Sequence, residues 1–415
     1  MHATADPAGL NPLAASRPLT ALVIGGGVGG IAAGIALSRA GASVTVLERA
    51  EALRSGGAGL WLWPNALHAL DALGVGDSAR AAGVRQTSNR VRDTRGRTLV
   101  RIRVPDANGQ PYVSLSIRRA ALLTALAEGL PPGALRCGAH VVGVTQGDTP
   151  GDARGDTPGD AVERATVQLA DGTVLTADFV IAADGVGSSV RRSLFGTGGQ
   201  RDAGFTAFRA IVSLDRASEL EGGVIWGRGA RFGALAVAPD TAYWFAGFDA
   251  PLELLPIDRL AHVAARLAGW PAPVGTLLAA TQPDDVRVDR VVYCTPPPAW
   301  SVGRIALLGD AAHAMTPSLG QGACQALEDA VALGEVIAAG GHDVVAALAA
   351  YGRRRRRRAA VVAARSIRMD RLVQIENPVL CRLRDAAVAA APELLRRRFQ
   401  RSMWGLPFPS DPSRR

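Results

Sequence analysis

Residues 19–48 read LTALVIGGGVGGIAAGIALSRAGASVTVLE. Leu19 to Ile24 is a short, continuous apolar run, the pattern of a strand buried on both faces. Glycines follow at once, and an apolar helical stretch runs from Val28 to Arg39. A second strand, Val44 to Leu47, ends at Glu48. Strand, tight turn, helix and strand make a βαβ unit. Gly25 permits the turn, Gly27 lets the backbone approach a pyrophosphate, and Gly30 lets the helix pack closely on the sheet. The helix start at Val28 offers free N–H groups and a positive dipole end to phosphate. Glu48, with Arg49 beside it, stands where a carboxylate accepts hydrogen bonds from ribose hydroxyls. A carboxylate there opposes the 2′-phosphate of NADP, so the site favours FAD or NAD. The loop alone does not choose between them.

Composition narrows the chemistry. The chain has 415 residues, is 48% hydrophobic and carries a formal charge of +9. All 46 basic residues are arginine. Without lysine there is no Schiff-base nucleophile and no P-loop lysine. The arginine excess accompanies heavy use of Ala and Gly, so it reads as coding bias rather than a nucleic-acid surface. The cysteines, Cys137, Cys294, Cys324 and Cys381, lack metal-ligand spacing. Residues 1–18 read as a disordered tail without a signal core, and no apolar run spans a membrane. A cytoplasmic location is expected.

Working outward from the βαβ unit, Gly59 to Leu73 reads as a loop entering a helix, and Arg119 to Leu130 as an amphipathic helix. GDTPGDA occurs twice between 147 and 161, and this segment is expected to be an exposed loop. Phe179 to Ala183 is a buried strand running into Asp184-Gly185. From about 194 to 292 short alternating segments suggest an antiparallel sheet. Arg304 to Leu308 returns to buried-strand character before a long helix over about 321–339. The arginine run 353–358 lies within a helical pattern. Six successive helical residues point all around the axis, so a solvated, partly salt-bridged helix is expected. The resulting fold class is α/β: a discontinuous Rossmann-like domain (19–190 and 293–340), an inserted, mainly antiparallel sheet domain (191–292) and a C-terminal helical region (341–415).

Three segments choose FAD. Beside the glycine loop with Glu48 stand AADGVGSSVR at 182–191 and GDAAHAMTPSLGQG at 309–322. With these the chain resembles the single-component FAD-dependent aromatic hydroxylases, a group that includes salicylate, hydroxybenzoate and urate hydroxylases. The resemblance runs from about residue 20 to about 370. It implies non-covalent FAD, with NAD(P)H as a transient co-substrate. It also implies hydroxylation of a small aromatic or heteroaromatic substrate by O₂ through a flavin C4a-hydroperoxide. Asp184 and Gly185 match the family segment near the FAD pyrophosphate, with Ser188 and Arg191. Asp310 matches the aspartate on the ribityl chain. Pro317, Gly320, Gln321 and Gly322 match the loop along the isoalloxazine. Arg119, with Leu122, fits a family arginine on the flavin side better than Arg118 does, and Pro64 to Ala66 matches a further stretch. Epoxidation, Baeyer–Villiger oxidation and FAD-dependent reduction stay open as alternatives. A halogenase is disfavoured by the missing lysine.

Substrate contacts are expected from the sheet domain. Arg209, Trp226, Arg231, Phe232, Tyr243 and Trp244 are candidates, with Pro317 from the flavin loop, because aromatic walls with a few polar groups make such pockets. Arg209, His313 and Tyr243 are weak catalytic candidates. A monomer or homodimer is expected, and no metal.

Overall fold

The structure, a computed structural model, describes residues 17–53, 58–103, 114–147, 163–196, 199–255, 257–340 and 343–404. The GDTPGDA repeats lie almost wholly outside the described residues, as does most of the expected N-terminal tail. Arg17, placed in that tail from sequence, instead forms an ion pair of 2.6 Å with Asp178.

The first sheet has six strands in the order Ser301–Val302, Ile305–Leu307, Phe179–Ala182, Thr20–Ile24, Ser43–Leu47 and Leu135–Arg136. All neighbours are parallel except the first pair. Chain order reverses at Thr20–Ile24, so this strand is the topological switch point, outside whose carboxyl end ligands bind in open α/β sheets. Ile24 lies opposite both Leu47 and Ala182, and Ala182 lies opposite Leu307. In-register parallel pairing therefore brings Gly25, Glu48, Asp184 and Asp310 to the same edge.

Helices Val28–Arg39 and Gly322–Ala339 pack together on this sheet. Small residues allow the close approach. A Cβ on Gly334 would lie 2.9 Å from the Ala36 Cβ and 3.0 Å from the Ala36 carbonyl oxygen.

The second sheet has seven strands: Arg287–Cys294, Gln200–Ser213, Thr241–Phe248, Ala230–Ala238, Gly223–Trp226, Ser88–Asp93 and Thr98–Arg103. Its last two strands come from the part of the chain that sequence reading placed in the nucleotide-binding domain. They enter through a parallel pairing of Gly223–Trp226 with Ser88–Asp93. Gly59–Leu62 is also a strand rather than a loop. It joins Ser114–Arg118 and Val84–Gln86 in a small antiparallel sheet. That sheet lies against the larger one: the Ser116 hydroxyl bonds the Ala236 carbonyl oxygen.

Alternation along the large sheet separates two faces. Phe208, Phe232, Trp244 and Phe248 fill one, under helices Arg259–Arg266 and Val274–Ala279. Ile211, Leu235, Tyr243 and Phe245 lie on the other, against Trp61 of the small sheet. The C-terminal region is helical, as expected: Val344–Val373, Pro378–Ala390 and Glu393–Trp404.

Candidate active site

The glycine loop is built by three different constraints. Gly25 has φ +109°, and a Cβ there would lie 2.4 Å from the Ala183 carbonyl oxygen. A Cβ on Gly30 would lie 1.9 Å from the Gly25 carbonyl oxygen. Gly27 is different. Only the Arg119 guanidinium comes within 4 Å of its Cβ position, at 3.9 Å. Protein packing thus requires Gly25 and Gly30, whereas Gly27 and the helix start at Val28 border open space. Glu48 holds the loop from the next strand: its Oε2 accepts from the Gly26 N–H at 2.7 Å and its Oε1 from the Ala50 N–H at 2.9 Å. Each oxygen keeps acceptor capacity. Arg49, the next residue, is exposed.

Asp184 performs a local task. Its Oδ2 accepts from the Ser189 and Val190 N–H groups, at 2.9 and 3.3 Å. These are the orphan donors at the start of helix Ser189–Phe195. Its Oδ1 is buried without a hydrogen-bond partner, and Gly185 makes the turn with φ +83°. Arg191 then ties this segment to the third motif. It is 3% exposed and donates to the carbonyl oxygens of Val186, Asp310 and Ala311 at 2.6, 3.2 and 2.8 Å.

Asp310 is solvent-accessible, yet enclosed by protein. That enclosure pushes its carboxyl pKa up, against His313, Arg119 and Arg191, which favour the charged form. Pro317, exposed, opens a single turn to Leu319, and Gly320 closes it with φ +61°. Gln321 and Gly322 start the long helix. A Cβ on Gly322 would stand 4.0 Å from Asp310 Oδ1. The Arg119 guanidinium lies 3.9 Å from the Cβ position of Gly27, and its charge favours the ionised form of Asp310. Arg118 instead lines an open hollow with Thr124 and Glu128.

Beneath the loop lies a buried polar network. Asn65 donates to Gln321 Oε1 at 3.0 Å and to Glu328 Oε1 at 2.6 Å. Arg355 bridges Glu328 and Asp329, at 2.6 and 2.7 Å. Burial alone would raise the pKa of both acids. The charge of Arg355, with Arg358 at Glu328 and His313 at Asp329, outweighs it and holds both below their usual values. Arg355 corrects the reading of 353–358 as a solvated run: it is 5% exposed. Asn65 Oδ1 and Gln321 Nε2 are buried and unpartnered.

His313 belongs to this network. It is 1% exposed, meets Asp329 at 2.5 Å and stacks on Trp300. A ring so enclosed does not reach a substrate, which removes it as a catalytic candidate.

The sheet-domain candidates divide by face. Phe232 and Trp244 stack on each other at 5.8 Å on the helix-covered face, and the Trp244 indole donates to Thr281. They are core, not pocket. Trp226 packs with Leu99 and Val373 under the Arg384 guanidinium. Arg209 stands on the same face as Tyr243 but is engaged by Asp289 of the edge strand. Tyr243 faces the small sheet, where a Cβ on Gly59 would lie 2.5 Å from its ring. Burial, with Asp289, pushes its phenol up to about 12, against Arg209 and Arg231. Arg231, on that face too, is 4% exposed, pairs with Asp370 at 2.9 Å and hydrogen-bonds Ser318 of the turn Pro317–Leu319.

Sequence reading missed Trp61, Trp63, Asp370 and Trp404 as site residues. Trp61 and Trp63 stack at 4.9 Å, and Trp63 stacks on Trp404 at 5.4 Å. The Trp63 indole donates to the Leu319 carbonyl oxygen at 3.1 Å. The i, i+2 spacing of Trp61 and Trp63 was the available signal. Asp370 and Trp404 had none, because their partners lie far away in the chain. Among the described residues no group of His, Cys, Asp or Glu side chains suits a metal ion.

The loop open at Gly27, the acids Glu48, Asp184 and Asp310 at three parallel strand ends and the orphaned acceptor and amide groups around 184 and 321 fit FAD. A glycine loop at the switch point of a parallel sheet, with acids at the neighbouring strand ends, defines a dinucleotide-binding fold. The chain belongs to the FAD binding domain family, FAD_binding_3, which matches residues 19–366, and within it to the FAD-dependent aromatic hydroxylases. It is 34% identical to the aurachin C monooxygenase/isomerase of Stigmatella aurantiaca, over 88% of this chain and 93% of that one. It is 32% identical to the FAD-dependent urate hydroxylase of Mycolicibacterium vanbaalenii, over 75% and 78%. The crystal structure of Klebsiella pneumoniae HpxO complexed with FAD and uric acid superposes with a TM-score of 0.80 at 26% identity, over 93% and 96%. The chain is an FAD-dependent NAD(P)H monooxygenase.

Proposed function

We propose that the chain hydroxylates a small, bicyclic heteroaromatic substrate held between the flavin-side loop and the face of the large sheet that carries Tyr243. The observation that carries this reading is the strand register, which puts Tyr243, Phe245 and Ile211 on one face with Trp61 over them. One relative supports the ring class: the urate hydroxylase is named for a nitrogen heterocycle.

Bound FAD, reduced by NAD(P)H, supplies O₂ activation and oxygen transfer to an electron-rich carbon. The chain's own residues bind and orient. Gly27 and the N–H groups from Val28 would receive the pyrophosphate, with Arg119 alongside, on the turn that Gly25 and Gly30 allow. Glu48 takes the adenosine ribose, and Asp310 the sugar-alcohol chain. Backbone N–H groups from Gly320 to Gly322, at a helix start, would hold the pyrimidine edge of the flavin, where oriented donors favour developing negative charge. Arg191 keeps the Asp184 and Asp310 segments in register. Tyr243 holds its proton throughout the working pH range, so it orients substrate as a donor and is not a base. Arg231, fixed by Asp370 and Ser318, brings a positive charge to the same wall.

The test is NAD(P)H oxidation by the FAD-loaded protein against phenols, aromatic acids and heterobicyclic compounds, with product mass under ¹⁸O₂. Substrate-stimulated turnover with one labelled oxygen in a ring hydroxyl is expected. Labelled epoxide or ester would keep the cofactor and change the reaction class. Reductant consumption with no oxygenated product from any ring compound would overturn the hydroxylase reading.

A further inference from the structure

Charge is distributed very unevenly along this chain. Residues 353–404 contain fifteen arginines and four acidic residues, an excess larger than the +9 of the whole protein. The same helices expose most of the large apolar side chains left uncovered among the described residues. On Pro378–Ala390 they are Val379, Leu380 and Leu383, each more than half exposed. On Glu393–Trp404 they are Leu394, Leu395 and Phe399, at 61%, 54% and 42%. Solvated helices do not ordinarily present leucine on consecutive outward positions.

The arrangement within Glu393–Trp404 is specific. Leu395 and Phe399 are one turn apart, and the adjacent row reads Leu394, Arg398 and Arg401. Arg397 and Arg398 are exposed, whereas Arg396 is half-buried and donates to the Val388 and Ala389 carbonyl oxygens, fixing the two helices together. Leucine and phenylalanine interleaved with arginine suit a lipid interface: the apolar tips enter the headgroup boundary while the guanidinium groups meet lipid phosphates. A nucleic-acid surface requires the arginines but not the leucines. The helix also ends at the cleft, since Trp404 stacks on Trp63, whose indole holds Leu319.

We infer that helices Pro378–Ala390 and Glu393–Trp404 dock the enzyme on an anionic membrane surface, lying on it rather than crossing it. Among the described residues no helix is long and apolar enough to cross a membrane. The docking helix and the cleft wall then form one continuous element.

The experiment is flotation of the full-length, FAD-loaded protein with phosphatidylcholine vesicles, with and without about one-third phosphatidylglycerol. Binding to the anionic vesicles, weak binding to the neutral ones, and release on raising ionic strength are expected. Arg398→Gln and Arg401→Gln should each weaken binding about fivefold. Leu394→Ser/Leu395→Ser should weaken it more than about tenfold. Leu380→Ser/Leu383→Ser on the preceding helix provides an independent second variant. FAD absorbance and the thermal melt serve as fold controls, because all these side chains are exposed. Absence of flotation, equal flotation with neutral vesicles, or undiminished flotation of both leucine variants would overturn the inference. So would a dimer in light scattering that becomes a monomer in either leucine variant, since the face would then belong to a second copy.

Discussion

Gly27 and Gly30 lie three residues apart in one motif, yet different forces demand them. A Cβ on Gly30 would meet the Gly25 carbonyl oxygen at 1.9 Å, inside the protein itself. Gly30→Ala should therefore destabilise the fold by about 3 kcal/mol or more, because backbone rather than a pliable side chain must yield. At Gly27 a Cβ meets nothing closer than Arg119 at 3.9 Å. Gly27→Ala should melt like the parent without FAD, yet bind FAD more than about tenfold less tightly, a loss of ~1.4 kcal/mol. Thermal melts without FAD and flavin titrations check the pair. Equal loss of stability in both variants would remove Gly27 from the phosphate site.

Among the elements, strand register has the largest consequence. Tyr243 and Trp244 are neighbours, and both suit a pocket, but period two sends them to opposite faces. Tyr243→Phe should raise KM or substrate Kd about fivefold by removing one donor, with little change in the melt. Trp244→Phe should leave KM unchanged and cost about 1–3 kcal/mol, since it deletes core volume and the bond to Thr281. Steady-state kinetics and denaturation of the two variants check the assignment. The reverse pattern would put the substrate on the helix-covered face.

For the whole molecule, Arg355 joins helix Val344–Val373 to helix Gly322–Ala339. Arg355→Met removes the cation from two buried carboxylates, at an expected cost of about 3–5 kcal/mol at neutral pH. The sign of the pH dependence follows. Glu328 and Asp329 have native pKa values below the ordinary 4.5 and 3.8. Their contribution is complete above that ordinary range and is lost as pH falls through the lowered native values. In Arg355→Met, Arg358 and His313 remain but burial weighs more, so both pKa values rise relative to the parent and the variant is penalised most at neutral pH. The gap between variant and parent should narrow as pH falls toward 4, which melts across pH 3–7 would register. A gap independent of pH would mean that Arg355 acts by packing alone.

The cofactor half of this protein was legible as sequence. Its logic is local: each motif follows one parallel strand, and Gly25, Glu48, Asp184 and Asp310 meet because the strands align in register. The substrate half was legible only as a strand pattern. Alternation says that Tyr243 and Trp244 diverge, but not which face is covered by helices. That is decided by helices Arg259–Arg266 and Val274–Ala279 and by the small sheet built from Gly59–Leu62 and Ser114–Arg118. Recruitment of Ser88–Arg103 into the large sheet was hidden for the same reason, since β-pairing joins segments more than a hundred residues apart. Arg355 lay between: its spacing of four from Tyr351 and Ala359, both 0% exposed, marks a buried helical row, but six arginines in succession masked it. Sequence by itself determined the βαβ unit, FAD and the family, because these depend on backbone conformation and short-range order. Only the tertiary structure decided which arginine is buried, which tryptophans stack and which face of the large sheet the helices cover, because burial is set by whatever packs against a residue from elsewhere in the chain.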